Sequence, residues 1–199
     1  MKNNVTVKSM ADTALLVALA IGLKFLSDVI PFLNLANGGT IDLAMVVIMI
    51  MAFRNGPKYS FVGATVFWFI CWWIGGFKIY SGIPALEIIF DRAFPYTLGY
   101  GMVGLFYKSR NNRIKATLVI LLAGIIRLFF HTTIGVFEWY SLTKVSDFFT
   151  FFWASFLYNI TYVGLTTILA MILFNAIFRV AYFKAPLELP PKKEEAKNI

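Results

Sequence analysis

The feature that most constrains this chain is where its basic residues lie relative to six hydrophobic stretches. Successive crossings of a membrane would put thirteen of the eighteen Lys and Arg residues on one face and only Lys78 and Lys144 on the other. Short loops rich in Lys and Arg stay in the cytoplasm. The pattern predicts an all-α membrane protein, a single bundle of six transmembrane helices with both termini cytoplasmic. The predicted spans are Ala11–Leu33, Ile41–Phe53, Tyr59–Gly75, Ala85–Tyr107, Ala116–Phe137 and Phe148–Phe178.

The composition agrees with a membrane location. The chain is 59% hydrophobic and only 14% charged, whereas about a quarter of the residues of a soluble domain are charged. The net charge of +8 lies in the loops and the tail, where it faces anionic lipid rather than nucleic acid. We therefore expect a multi-pass protein of the plasma membrane. Residues 1–185 form one predicted transmembrane domain, and residues 186–199 read as a disordered cytoplasmic tail.

Several kinds of chemistry are missing from the sequence. There is no G-x-x-x-x-G-K-[ST] motif for ATP hydrolysis,. There is no H-E-x-x-H motif and no Cys/His cluster for a metal,. One His and one Cys leave little for nucleophilic catalysis,. The chain is therefore predicted not to be an enzyme and to hold no metal or cofactor.

Ionisable residues inside the predicted spans carry the functional signal. Such residues are costly in lipid and usually face a cavity or a partner. At 1.5 Å per residue, Asp91 and His131 lie about 9 Å below the outer surface, and Arg127 and Asn159 about 15–16 Å below it. Three helices thus bring polar groups to one layer, which suits a small polar ligand with a flat ring. The aromatic residues near this layer are Tyr80, Trp139, Tyr140, Trp153, Tyr158 and Tyr162.

Structural explanations for these charges remain open. Asp91 and Arg92 are also compatible with a purely structural ion pair. Lys24 and Asp28 are spaced i, i+4 on one helix face and are expected to pair with each other. A single histidine such as His131 is often a hydrogen-bonded core residue.

The first span carries a stripe of small residues. Ala14, Ala18 and Gly22 recur every four residues, and small residues at this spacing let another helix approach closely. Packing within the bundle and contact with another protein are both compatible with this pattern.

A resemblance to a known family follows from two motifs. Six spans, an outward-facing polar and aromatic site and the segment Ala14–Ala18 resemble the S-component, or substrate-binding subunit, of energy-coupling-factor vitamin transporters. Arg127-Leu-Phe-Phe-His131, followed by Gly135 and Trp139, resembles the fifth helix of the thiamine-specific members. The likeness extends from about Ala11 through the sixth span.

Further positions match the same family pattern. Asp91 corresponds to its acid on helix four, Tyr80 to the aromatic of its loop Gly-Lys-Val-Tyr, and Asn159 to its helix-six Asn. Gly39-Thr40-Ile41-Asp42 matches its Gly-Thr-Ile-acid segment. Four positions depart from the pattern: Arg92 stands where the family has an aromatic residue, Ala154 where it has Tyr, and Asp42 and Asp91 where it favours Glu.

The resemblance implies a substrate-binding subunit that captures thiamine or a related vitamin or precursor. It implies, as partners, a transmembrane coupling subunit and two ATPases. Asp91 would meet the cationic part of the ligand, while Arg127 and His131 would bond its polar groups. The implied stacking residues are Tyr80, Trp139 and Trp153; Asp42 and Asn159 complete the implied site; Ala14, Ala18 and Gly22 would contact the coupling subunit.

Two other functions remain open at this stage. One is a proton-coupled secondary transporter for a small polar aromatic solute, with Asp91 and His131 carrying protons. The other is an intramembrane enzyme with His131 as its base, although no nucleophile or metal set accompanies it,.

Overall fold

The computed structural model describes residues 2–35, 39–76, 85, 87–143 and 147–178, without the side chains of residues 2–6, 87, 139 and 141–143. Helices make up nearly all of this part of the chain. We label them α1 (Lys2–Val29, followed by a 3-10 turn at Pro31–Leu33), α2 (Ala44–Ile74), α3 (π-helical Glu87–Ala93, α-helical Phe94–Thr97 and 3-10 Gly101–Asn111), α4 (Arg113–Thr143) and α5 (Phe148–Asn159, a π-helical turn at Ile160–Gly164, and Leu165–Ile177).

Three of these helices are long and apolar enough to cross a membrane. They contain Val7–Val29, Arg113–Glu138 and Phe148–Ile177, with mean hydropathies of 1.7, 2.0 and 1.9. A span needs about 20 mostly apolar residues. The protein is therefore a helical membrane protein, and these segments coincide with the first, fifth and sixth predicted spans.

Helix α2 contains both the second and the third predicted spans, joined by a sharp reversal. Gly56 has φ 76° and ψ −173°, a conformation that only glycine adopts readily,. A Cβ built on Gly63 would lie 2.5 Å from the Met51 sulfur, although twelve residues of straight helix extend about 18 Å. The chain therefore doubles back at Gly56, and Pro57 starts the returning arm, where its missing N–H costs nothing.

The first arm of α2 forms the centre of the bundle. Every side chain from Ala44 to Phe53 except Ile50 is buried. A helix that is apolar on all sides must be surrounded by other helices, and this arm packs among α1, α3 and α5. Its central position explains why residues 41–53 show no amphipathic pattern in the sequence.

Helices α4 and α5 approach each other closely where glycines replace larger side chains. A Cβ on Gly135 would lie 2.2 Å from Ser155 Oγ, and one on Gly124 would lie 2.2 Å from Thr167 Oγ1. Small residues allow this spacing in a membrane bundle. The close packing fixes the rotation of α4 relative to α5.

The outer start of α5 is set by a capping residue. The Asp147 carboxylate accepts hydrogen bonds from the backbone N–H and the hydroxyl of Thr150. These bonds hold the pKa of Asp147 below its usual value, and a carboxylate also suits the positive end of the helix dipole.

The basic loops meet at one end of the bundle. The Arg54 guanidinium, next to the Gly56 turn, pairs with Asp12 of α1 at 2.9 Å. Arg110, at the end of α3, donates a hydrogen bond of 3.2 Å to the Phe53 carbonyl. The loop at Gly56 and the α3–α4 junction therefore lie beside the start of α1, as the charge pattern predicts.

The small-residue stripe of α1 faces outward. Ala14, Ala18 and Gly22 are exposed, and within the described chain no atom of another element lies within 4 Å of a Cβ built on Gly22. Leu16 and Val17 lie on the opposite, buried face. Among the described residues, the stripe therefore does not pack against another helix of the bundle.

The Gly56 turn generates the first testable expectation. Gly56→Ala should lower the stability of the purified protein by about 1–2 kcal/mol, because an alanine at positive φ is strained. Nothing lies within 4 Å of the added methyl group, so conformation alone causes the effect. Thermal unfolding in detergent measures it.

Gly22→Ala is the matched control, since Gly22 is helical and has open space around it. It should raise the stability by about 0.5–1 kcal/mol. Equal melting temperatures for the Gly56 variant and the parent would mean that the turn does not depend on glycine.

Candidate functional site

The carboxylate of Asp91 joins α3 to α4. Asp91 Oδ1 lies 2.7 Å from His131 Nδ1, and Asp91 Oδ2 lies 3.1 Å from the Nε of the neighbouring Arg92. The His131 side chain is 5% exposed, whereas those of Asp91 and Arg92 are 22% and 29% exposed. Both carboxylate oxygens are thus engaged, one by a buried partner and one by a partly exposed partner.

Arg127 lies one turn before His131 and is almost completely buried. Its Nη1 donates to the Tyr100 hydroxyl at 2.5 Å and its Nη2 to the Tyr96 hydroxyl at 3.2 Å. The guanidinium carbon also lies 5.0 and 5.4 Å from the centres of the Tyr96 and Tyr100 rings, within the range of a cation–π interaction. The two tyrosines therefore replace water around this charge.

The contacts of His131 assign its tautomer. Arg127 Nε, which can only donate, lies 3.4 Å from His131 Nε2. His131 Nε2 must therefore accept, and the ring proton of the neutral imidazole lies on Nδ1 and is donated to Asp91. The imidazole thus relays hydrogen bonding from the buried cation to the carboxylate.

Asn159 of α5 completes this network from the other side. Its Nδ2 donates to the His131 carbonyl at 3.2 Å and to the Ser155 carbonyl at 2.8 Å, and its Oδ1 accepts from the Tyr162 hydroxyl at 2.7 Å. The Tyr162 ring also lies edge-on to the His131 ring, with centroids 5.8 Å apart. Asp91, Arg127, His131 and Asn159 are thus brought together, as the depth estimates predicted.

π-Helical turns adjoin two members of the network. Glu87–Ala93 contains Asp91, and Ile160–Gly164 follows Asn159 directly. A π turn inserts an extra residue into the helix and frequently marks a functional site. In both helices, the π turn changes the direction in which the residues after it face, relative to the residues before it.

Asp42 approaches the same layer from the segment before α2. Its backbone N–H donates to Thr166 Oγ1 at 3.0 Å, and its Oδ1 accepts from the Ala44 backbone N–H at 2.8 Å. Its Oδ2 is buried and has no hydrogen-bond partner among the described residues. An unsatisfied buried oxygen is costly, and Asp42 lies close enough to Arg127 for electrostatic attraction.

The segment around Gly39 packs against the aromatic side of the network. A Cβ on Gly39 would lie 2.6 Å from the Tyr162 ring and 3.3 Å from the Tyr158 hydroxyl. The rings of Tyr158 and Tyr162 lie 5.6 Å apart. Two tyrosines of α5 therefore line the side of the network that faces this segment.

None of the three predicted stacking residues is seen in contact with the network within the described chain. Trp153 is 54% exposed and packs against Phe152 and Phe156, with ring centroids 5.5 and 5.8 Å apart, outside the network. Tyr80 and the side chain of Trp139 lie outside the described parts of the chain. The stacking role of these two residues therefore stays a prediction.

Tyr96 and Tyr100 are the site residues that the sequence reasoning missed. They are spaced i, i+4 and share a helix face, and Tyr100 is fully buried. The sequence does contain a signal for Tyr96. Tyr96 follows Ala85 by eleven residues, which corresponds to about 17 Å along a helix, and this is close to the depth of about 15 Å expected for Arg127. A tyrosine at that depth needs a hydrogen-bond partner.

Several charged groups meet in and beside the network. They are the carboxylates of Asp42 and Asp91, the guanidinium groups of Arg92 and Arg127, and the Lys24 ammonium, which lies within electrostatic range of Asp42. Charged groups inside a membrane bundle are tolerated when they pair with one another. A cationic ligand would therefore enter a layer that already holds two guanidinium groups.

Comparisons with known proteins agree with this architecture. The family model of the thiamine transporter protein (Thia_YuaJ) matches residues 10–184. Among solved structures, ThiT from Listeria monocytogenes superposes with a TM-score of 0.64 and 20% sequence identity, covering 89% of this chain and 98% of ThiT. At that identity the structural likeness shows the fold alone. No curated protein sequence matches this chain.

The family match covers most of the chain, including every residue of the network. The chain therefore belongs to the thiamine transporter family, and its function is transport rather than catalysis.

Proposed function

We propose that this chain is the S-component of an energy-coupling-factor importer and that it captures thiamine in the polar layer formed by Asp91, Arg127, His131 and Asn159. The observation that carries the proposal is a hydrogen-bonded network of charged groups, buried among apolar helices, in a member of a thiamine transporter family. A transmembrane coupling subunit and two ATPases supply the energy, because this sequence contains no ATP-binding motif.

The chemistry of thiamine fits the groups of this layer. Thiamine has a cationic thiazolium ring, an aminopyrimidine ring and a hydroxyl group. Asp91 meets the thiazolium, while Arg127, His131 and Asn159 bond the polar groups. The unpaired Asp42 Oδ2 offers a further acceptor. Tyr80 and Trp139 stack on the rings, whereas the outward position of Trp153 gives no support to its stacking role.

The orientation follows from the two ends of the bundle. The ion pair between Arg54 and Asp12 and the bond from Arg110 to Phe53 gather the basic loops at one end. The positive-inside tendency makes that end cytoplasmic. Six spans in the plasma membrane, both termini in the cytoplasm and a binding layer open to the outside are consistent with this arrangement.

The exposed stripe of α1 is the contact for the coupling subunit in this proposal. Ala14, Ala18 and Gly22 lie on a surface that no other described element covers. Small side chains allow close approach by a partner helix, and in lipid that packing drives association. Ala14 and Ala18 lie in the cytoplasmic half, away from the binding layer.

Asp91→Asn should weaken thiamine binding by roughly ten- to 150-fold, which corresponds to about 1.5–3 kcal/mol for one buried charged contact. Isothermal titration calorimetry of the purified protein measures the change. Asp12→Asn is the matched control, because Asp12 pairs with Arg54 at the opposite end of the bundle, and its affinity should stay near that of the parent. Unchanged binding by the Asp91 variant would make Asp91 a structural residue only.

Ala18→Trp should leave thiamine binding unchanged and abolish uptake by the complete transporter, because a large side chain blocks close helix approach. Ala14→Trp should behave in the same way. Ile168→Trp is the matched control, since Ile168 is an exposed residue of α5 in the cytoplasmic half, and it should transport normally. If Ala18→Trp instead unfolds the isolated chain, the assignment of the stripe is wrong.

Reconstitution separates this proposal from a proton-coupled secondary transporter. Proteoliposomes that contain only this chain should bind radiolabelled thiamine without concentrating it, with or without a proton gradient. Adding the coupling subunit, both ATPases and internal ATP should produce accumulation. Concentrative uptake by the chain alone under a proton gradient would favour the secondary transporter.

A further inference from the structure

The Asp91 carboxylate is already paired with a cation. The Arg92 guanidinium lies beside Oδ2, the oxygen that His131 leaves available to a cationic ligand. His131 holds Oδ1 at 2.7 Å, and Arg92 Nε lies 3.1 Å from Oδ2. His131 is 5% exposed and is fixed by Arg127 and Tyr162. The Arg92 side chain is 29% exposed. Arg92 is the more exposed of the two partners, although its Nε atom is buried, and its departure would leave the contacts of His131 in place.

Repulsion between positive charges supports the same conclusion. This step depends on the proposed function, in which Asp91 meets the thiazolium ring. With Arg92 in place, the thiazolium would enter a layer that already holds the guanidinium groups of Arg92 and Arg127. Like charges repel strongly where the effective dielectric constant is low. A long arginine side chain that is already partly exposed can move its charge toward water.

We propose that Arg92 is a specificity-determining residue, a displaceable counter-ion that occupies Asp91 in the empty site and is displaced by the cationic ring of thiamine. The attraction between the thiazolium and Asp91 is offset by the attraction between Arg92 and Asp91 that binding breaks. Arg92 therefore lowers the affinity for a cation and weakens discrimination between thiamine and an uncharged analogue.

The decisive variant is Arg92→Gln, tested in the full-length chain in detergent with two ligands. One ligand is thiamine, and the other is its uncharged isostere, in which the thiazolium nitrogen is replaced by carbon. Arg92→Gln should tighten thiamine binding by roughly tenfold or more, the size of one charged contact. The affinity for the isostere should stay within about fivefold, since it makes no charged contact with Asp91.

Two further variants isolate the Asp91 contact. Arg113→Gln removes a positive charge at the far end of α4, where Arg113 bonds Asn175 instead of Asp91, so the affinity for thiamine should change by less than about fivefold. The double variant Asp91→Asn/Arg92→Gln should bind thiamine more tightly than Asp91→Asn alone, because the single variant leaves Arg92 without its carboxylate. Contacting residues are expected to show such non-additivity.

The outcomes separate this inference from the proposed function. A parent that binds no thiamine overturns the proposed function. A parent that binds thiamine, with an Arg92→Gln variant that binds it equally or more weakly, overturns only the role of Arg92. An equal increase in affinity for thiamine and for the isostere also overturns it, because the effect is then not electrostatic.

A second measurement applies if Arg92→Gln does not fold. In the parent, thiamine should then bind less than about tenfold more tightly than its isostere, because displacement of Arg92 offsets the charged contact. A larger preference for thiamine contradicts the proposal. Arg92→Lys, which keeps the charge, should retain the parent's ratio of affinities, and a widened ratio contradicts it equally.

Discussion

A charge that cannot be neutralised inside a membrane bundle organises one half of this protein. The guanidinium of Arg127 stays protonated under all physiological conditions, so the bundle must surround it with hydrogen-bond acceptors and polarisable rings. Tyr96 and Tyr100 supply these from α3, and His131 supplies an acceptor from α4. His131 also binds Asp91 of α3, and the His131 backbone carbonyl accepts a hydrogen bond from Asn159 of α5. These contacts hold α3, α4 and α5 in a fixed alignment along their axes.

The helices depart from regular geometry where they meet this network. The π-helical segment that contains Asp91 and the π turn after Asn159 both lie in the polar layer. Each π turn contains one residue more than a regular α-helical turn. The residues after the turn therefore face a different direction from the one they would face in a regular helix. We infer that these irregularities serve the alignment of polar groups from separate helices, and that the close α4–α5 contact at Gly135 makes this alignment rigid.

The two ends of the bundle are chemically distinct. One end holds the polar network, whereas the other holds the pair of Arg54 with Asp12 beside the exposed stripe of α1. The central arm, from Ala44 to Phe53, is buried and apolar and lies between them. Because of this separation, we expect substitutions at one end to leave the other end unchanged.

The sequence by itself determined the membrane class, the shared end of the basic loops, the pairing of Lys24 with Asp28 and the proximity of Asp91, Arg127, His131 and Asn159. Hydropathy and position along a helix axis follow directly from the order of residues in the chain, so a sequence can specify them. Tertiary structure decided the rest: the enclosure of Arg127 by Tyr96 and Tyr100, the outward position of Trp153, the exposed stripe of α1 and the occupation of Asp91 by Arg92. These depend on how far each helix is rotated about its axis, and only packing between helices distant in sequence sets that rotation.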